Sequence, residues 1–308
     1  MPSHRTEFWN MSIKILFLLQ VTTGILGNVS LFIYYLIYYT EHILKPTDLI
    51  LMHLMASNAL IVLSTGVPYT IAAFGMKLIL NDFGCKLILY IQRVGRSVSI
   101  STTCFLSVFR AITISHMESR CKDQKVKAAK YIGSIISFLW VLSMIIHFIL
   151  LEHMLIKGNS KNTTRHRDYE YCSSRGHHEI NDSLYEALVM CPEVFFSVLI
   201  AWSSVSMIVI LYRHKQRVQH IHSSHVSRRY SPEFRAIQNI LVLLSTFLAF
   251  YTVSSVLQGC ITLLYDHSWW MLNITRFTSL CFPSFTPFVL MSHHSLTSRL
   301  SLLCNKIS

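Results

Sequence analysis

Seven long apolar stretches constrain this 308-residue chain more than any other feature of its sequence. A helix needs ~20 predominantly apolar residues to cross ~30 Å of hydrocarbon. The stretches at about Ile13–Tyr39, Asp48–Phe74, Cys85–Ser115, Tyr131–Leu151, Leu184–Tyr212, Ala236–Tyr265 and Trp269–Met291 all reach that length. The first runs on too far for a cleaved signal core, so it reads as a retained helix. Little sequence remains outside the seven to build a soluble core. The chain therefore reads as one all-α membrane domain over residues 1–308, a seven-transmembrane bundle ending in a short cytoplasmic tail at 292–308. A composition of 52% hydrophobic and 14% charged residues agrees with that class.

An odd number of spans puts the two ends on opposite sides. Lys and Arg in the short loops decide which is which. One side holds the cluster Arg120, Lys122, Lys125, Lys127 and Lys130, and later Arg213, Lys215, Arg217, Arg228, Arg229 and Arg235. The other side has fewer, and acids such as Glu152, Asp168, Glu170, Glu179 and Asp182 balance them. The richer side is expected to be cytoplasmic, with the N-terminus outside. The net charge of +12 then faces anionic lipid and a cytosolic partner, and requires no nucleic acid.

The loops fit this orientation. Asn10, Asn162 and Asn181 begin sequons on the predicted outside and are the candidate glycan sites. Those at Asn28 and Asn273 fall within spans and are set aside. Cys104, Cys191, Cys260 and Cys281 lie in apolar segments and read as packed thiols. Cys85 and Cys172 are the two in polar segments of the oxidising side, so a disulfide between them is expected to hold the long outer loop, Glu152–Ser183, over the bundle. The connection after the first helix is Thr40–Thr47, and its Pro46 blocks continuation of the helix. The basic run LYRHKQRVQHIH at Leu211–His222 is expected to extend the fifth helix into the cytosol. Ser231-Pro232-Glu233 reads as the start of the sixth.

Inside the third stretch lies RVGRSVSISTTC, Arg93–Cys104. Arginine is among the costliest residues to place in a bilayer, and two of them three apart share a helix face. They follow Cys85 by ~12–17 Å of helix, the depth of a pocket in an outward-open bundle. Arg93 and Arg96 are thus candidate pocket residues, with Glu193 and Arg276 as candidates to share the space. A free guanidinium there favours a ligand bearing a carboxylate, a sulfate or another strong acceptor. The competing readings are an internal Arg–Glu pair or snorkelling to the outer interface. Asn28 and Asn58 read as helix–helix hydrogen-bonding residues, and Pro68, Pro192, Pro283 and Pro287 as kinks within spans. The sixteen histidines form no metal-ligand pattern, no phosphate loop or nucleophile triad is visible, and neither an enzyme nor a cofactor is expected. No internal repeat supports a transporter.

Whole strings give a sharper reading. KPTDLIL at Lys45–Leu51, STGVPYTIAAFG at Ser64–Gly75, NDFGCKL at Asn81–Leu87, RVGRSVSISTTC, AITIS at Ala111–Ser115 and LYRHKQRVQHIH are all in place. So are AFYTVS at Ala249–Ser254, DHSWW at Asp266–Trp270 and TPFVLMS at Thr286–Ser292. With Gly27-Asn28, Asn58, Cys85 and Trp140, the chain resembles the vomeronasal type-1 receptors, a family of mammalian G-protein-coupled pheromone receptors, from the first helix to the tail. The resemblance implies a multi-pass plasma-membrane receptor of chemosensory neurons. It also implies a small organic, steroid-derived or volatile ligand, and coupling to an inhibitory-type heterotrimeric G protein. The Cys85–Cys172 bridge and a glycan at Asn162 match the family pattern.

The chain departs from mainstream rhodopsin-like receptors at the switches. Arg110 lies ~37 Å along the third helix from Cys85, at the cytoplasmic mouth, yet its neighbours are Phe109 and Ala111 rather than an acid and a tyrosine. It is a candidate G-protein contact, with an interfacial arginine as the competing reading. Thr286-Pro287 and Met291 stand where the wider class has Asn-Pro and tyrosine. A bitter-taste-like receptor is the nearest alternative function. A channel or transporter is a more distant one, because the polar residues cluster in the outer half of the third helix.

Overall fold

In the computed structural model, the backbone is described for residues 2–41, 46–74, 82–115, 123–157, 166–169, 172–175, 179–221, 232–263 and 269–291. Side chains are described within 11–38, 46–74, 83–113, 131–149, 191–213, 240–260 and 271–291, apart from 211, 258 and 259. The described residues form seven helical rods and one small hairpin. The rods are α1 (Pro2–Glu41), a second built from α2 (Pro46–Ile61), a π-turn segment (Val62–Gly66) and α3 (Val67–Ala73), then α4 (Asp82–Ser115), α5 (Asp123–Lys157), α6 (Glu179–Ile221), α7 (Pro232–Leu263) and α8 (Trp269–Met291).

Proline places several boundaries. Pro46 opens α2 and Pro232 opens α7, the first-turn position where its missing N–H costs no helical bond. Pro68 is the second residue after the π-turn segment, which takes up the irregularity that a proline imposes on the turn before it. The rods run beyond the apolar stretches because a helix can continue into polar flanks. Thus α6 carries the basic run out to Ile221 and α5 begins at Asp123. The long loop contains more order than the sequence suggested. Strands β1 (His166–Tyr169) and β2 (Cys172–Arg175) pair antiparallel, with His166 opposite Arg175 and Tyr169 opposite Cys172. The bundle itself is all-helical as expected; the hairpin is a local addition in the long loop, and β2 lies against α4.

Five rods are long and apolar enough to cross a membrane, over Met11–Tyr38, Pro46–Ala73, Tyr131–Ile149, Cys191–Ile210 and Ile240–Leu257. The third and seventh rods, α4 and α8, are not among these five, and for α4 its position explains it. α4 packs against α2, α5 and α6, so its inner residues face protein. Ser99, Ser101, Thr102, Thr103 and Ser107 are all buried along it. The apolar excess lies on the outside instead. Tyr131, Phe138, Phe195, Val198 and Trp202 on α5 and α6 are each at least 60% exposed, a surface that suits hydrocarbon. Inside, a continuous core joins Leu54, Met55, Ile100, Leu106, Ile136, Ile200, Met207, Leu243 and Phe247. Cys104 and Cys281 are buried free thiols, whereas Cys191 is exposed on its helix, contrary to the packed reading. The tail at 292–308 lies outside the described residues.

Candidate functional site

The site grows from one face of α4. Arg96 points away from the exposed belt and meets α6 and α7 together. Its Nε donates to Glu193 Oε1 at 2.9 Å and its Nη2 to Glu193 Oε2 at 3.4 Å. Nη1 donates to Ser254 Oγ at 3.1 Å, and Nη2 also to Ser255 Oγ at 2.9 Å. Ser255 Oγ in turn donates to Glu193 Oε2 at 3.3 Å. The guanidinium carbon stands 4.4 Å above the Tyr251 ring. A buried ion pair holds only when its remaining donors and acceptors are also met, and here both ends of the pair share Ser255. The knot ties three rods at one level.

Tyr251, Ser254 and Ser255 were not picked out as site residues from sequence. They sit at i, i+3 and i+4 of α7, the spacing that puts them on one face, and that was the available signal. The bidentate contact shows that the guanidinium of Arg96 is not free. The Arg96–Glu193 ion pair is formed within the bundle.

Arg93 lies one turn nearer Cys85 and faces a different space. It lines a cavity of about 210 Å³ between α4, α5 and α6, with Ser97, Ser143, His147 and Glu193 among its walls. Arg93 acts electrostatically on both His147 and Glu193. Ser97 Oγ and Ser143 Oγ bridge α4 to α5 at 3.2 Å. On the other side of Arg96, between α4, α7 and α8, the gap lined by Gln92, Ser99, Tyr251 and Ser279 holds only about 20 Å³. That is close to the room one water needs.

Arg276 is not brought into this group. Its guanidinium stacks 4.6 Å over the Tyr69 ring, in a cluster of α1, α3 and α8 side chains that includes Phe17 and Phe277. Tyr69 also donates a hydrogen bond to Asn273. That contact accounts for the buried sequon asparagine in α8.

Two other polar residues act between helices as expected. Asn28 Nδ2 donates to Gly24 O and to Pro283 O, each at 2.7 Å. The second bond has a specific cause, because Pro287 has no N–H with which to serve the carbonyl four residues before it. Asn28 supplies the missing donor from α1. Asn58 Oδ1 accepts from Ser99 at 2.9 Å, tying α2 to α4.

At the far end of α4, Arg110 is partly buried and its Nε is enclosed without a hydrogen-bond partner. The carboxylate that acts on it comes from another rod, Asp48 in the first turn of α2. The chain thus places an acid near this arginine although its own triplet lacks one. Cys85 is buried and disulfide-bonded. The side chains of Cys172, Asn10 and Asn181 lie outside the described residues, as does Asn162 altogether. The backbone puts Asn10 in α1, Asn181 in the first turn of α6 and Cys172 at the start of β2.

Long apolar-faced rods enclosing a charged knot define a multi-pass helical membrane protein. Comparison with known proteins gives the class its particulars. The vomeronasal organ pheromone receptor family matches residues 11–302. The chain is 45% identical to human vomeronasal type-1 receptor 4 over 89% of its length and 91% of that protein. It is 43% identical to human vomeronasal type-1 receptor 3 over 96% and 95% of the two chains. A more distant relative, olfactory receptor class A-like protein 1 of Danio rerio, is 27% identical over 90% and 87%. The chain belongs to the vomeronasal type-1 receptor family, and is a chemosensory receptor of the G-protein-coupled class.

Proposed function

We propose that the chain spans the plasma membrane of chemosensory neurons seven times with its N-terminus outside. On this reading it binds a small, pheromone-like organic ligand in the outer half of the bundle and activates an inhibitory-type heterotrimeric G protein. The observation that carries the reading is the knot at Arg96. The buried Arg96–Glu193 pair joins α4, α6 and α7 beside a cavity, so anything that enters there acts on three rods at once. A ligand shifts a receptor only by its differential affinity for two arrangements, and a shared polar link between rods offers such a difference. Arg93, Arg96 and Glu193 are the proposed ligand-side residues, and Arg276 contributes from the neighbouring cluster. Arg110, with Asp48 beside it, is the proposed contact with the G protein, and the basic end of α6 faces the same partner and anionic lipid.

We assign Cys172 as the disulfide partner of Cys85. β2 begins at that residue and packs on α4, which supports the pairing. Asn162, Asn181 and Asn10 are assigned as glycan acceptors. Peptide mapping without reduction, and a mobility shift on glycosidase treatment, test these assignments.

The deciding experiment expresses the chain in cells carrying an inhibitory-type G protein and applies fractionated urine. Ligand-evoked nucleotide exchange is expected, and Arg110→Ala is expected to reduce it about tenfold with surface expression unchanged. Ion flux without a G protein would instead favour a channel.

A further inference from the structure

We propose that the ligand seats in the lateral cavity between α4, α5 and α6, that it enters from the bilayer, and that the cavity selects a compact amphiphile with a single hydrogen-bonding head. This deepens the receptor reading above and rests on it.

The central gap between α4, α7 and α8 is nearly full. About 20 Å³ remains there, and the Arg96 donors toward it are already engaged by Ser254 and Ser255. The lateral cavity has ten times the room, about 210 Å³. Its size sets the ligand. An apolar cavity of ~150 Å³ accepts benzene, and pockets for drug-sized molecules run to ~300–1,000 Å³. A space between these limits suits one ring with a short chain, and is too small for a four-ring skeleton.

The chemistry of the walls sets the head group. Ile100, Leu139, Leu142, Ile146 and Phe196 supply the apolar walls, and Arg93 and Glu193 are the charged members of the lining. Among these stands His147, which is 8% exposed and whose Nδ1 is buried with no hydrogen-bond partner. A buried unmet ring nitrogen costs free energy until something pairs with it. A hydroxyl answers either tautomer, since it both donates and accepts. The Ser97–Ser143 pair lies beside it and offers the ligand further partners.

The entry route follows from how the rods pack. Among the described residues α5 and α6 each lie along α4 but scarcely touch one another. Leu142 and Ile146, which line the cavity, are also 39% and 44% exposed, so the same walls reach the outer surface of the bundle. The exposed face of α6 is apolar too, with Val194, Phe195 and Val198 on it. An apolar volatile that has partitioned into the bilayer meets this fissure directly. Once inside, it lies against Glu193, which belongs both to the cavity wall and to the Arg96 knot.

The test uses the full chain in lipid nanodiscs with Ser143→Cys as a reporter, read by site-resolved alkylation with N-ethylmaleimide. 2-Phenylethanol serves as the one-ring probe and testosterone as the four-ring probe. The expected result is that Ser143→Cys alkylates and that 2-phenylethanol slows it severalfold while testosterone does not. His147→Ala is expected to raise the protecting concentration about tenfold. Absence of alkylation, equal protection by both probes, or protection by neither overturns the proposal; the last is also the result if an acyl chain occupies the cavity. Ser143→Phe separates this proposal from the receptor reading. A cellular response to fractionated urine that survives Ser143→Phe overturns the lateral seat and leaves the receptor intact. Protection by 2-phenylethanol in a chain that activates no G protein supports the seat and overturns the receptor reading.

Discussion

The seam between α1 and α8 and the junction of α4 with α6 and α7 are both buried, yet they are built on opposite principles. At the seam, backbones come close because side chains are missing. A Cβ on Gly27 would stand 2.7 Å from Pro287 Cβ, and one on Gly24 would stand 2.8 Å from Ser284 Oγ. Asn28 closes the remaining gap by serving the carbonyl that Pro287 leaves without a donor. At the α4 junction, the rods are held by a charged knot with empty space beside it. Close-packed surfaces have no slack and transmit strain. A knot of directional bonds next to a cavity has alternative arrangements within reach. Motion in response to a ligand therefore belongs to the second region, and the first serves as its fixed frame.

This contrast can be broken by mutation. The largest effect is expected from Glu193→Ala, which leaves a buried guanidinium without its carboxylate and costs ~3–5 kcal/mol. Thermal unfolding of the solubilised chain should show the loss, and Arg96→Met with Glu193→Leu should recover much of it. A small effect of the single variant would mean that the knot does not hold the junction. Asn28→Ala should cost about 2 kcal/mol by orphaning the Pro283 carbonyl. Surface expression should fall with it, while the response per expressed receptor stays constant. Gly27→Ala should cost ~1–3 kcal/mol, because the Pro287 ring it meets cannot yield by a rotamer change. If Gly27→Ala is neutral, the seam is softer than described and the frame assignment fails. Ser255→Ala is the mildest, about 1 kcal/mol in stability. It removes a link shared by both members of the ion pair, so basal signalling should change more than in either seam variant.

Much of the architecture is legible in the sequence. The seven stretches correspond to seven helical rods, and the last is bounded identically at Trp269–Met291. Pro232 opened α7, and the basic run extended α6, because local rules of proline and helix continuation operate on neighbours in sequence. Parts of the site were legible too, since an arginine in an apolar stretch is conspicuous whatever surrounds it. Its state was not. Whether Arg96 is free or paired depends on Glu193, nearly a hundred residues away in the chain. The same holds for Arg276, whose place near the outer end of the last span suggested the pocket, but whose guanidinium lies on Tyr69. His147 went unremarked because a lone histidine in an apolar run carries no sign of the cavity it lines. The hairpin in the long loop was missed because four-residue strands with polar side chains leave little pattern to read.

By itself the sequence determined that the chain enters lipid, how often it forms rods, and which family it joins. Each of these follows from length, hydropathy and local strings, which are properties of contiguous residues. Tertiary structure alone decided what Arg96 pairs with, where space remains, and how little α5 and α6 touch among the described residues. Those outcomes depend on how distant helices register against one another. Whether a buried arginine finds a carboxylate such as Glu193 is settled by the packed bundle and by nothing local in the chain.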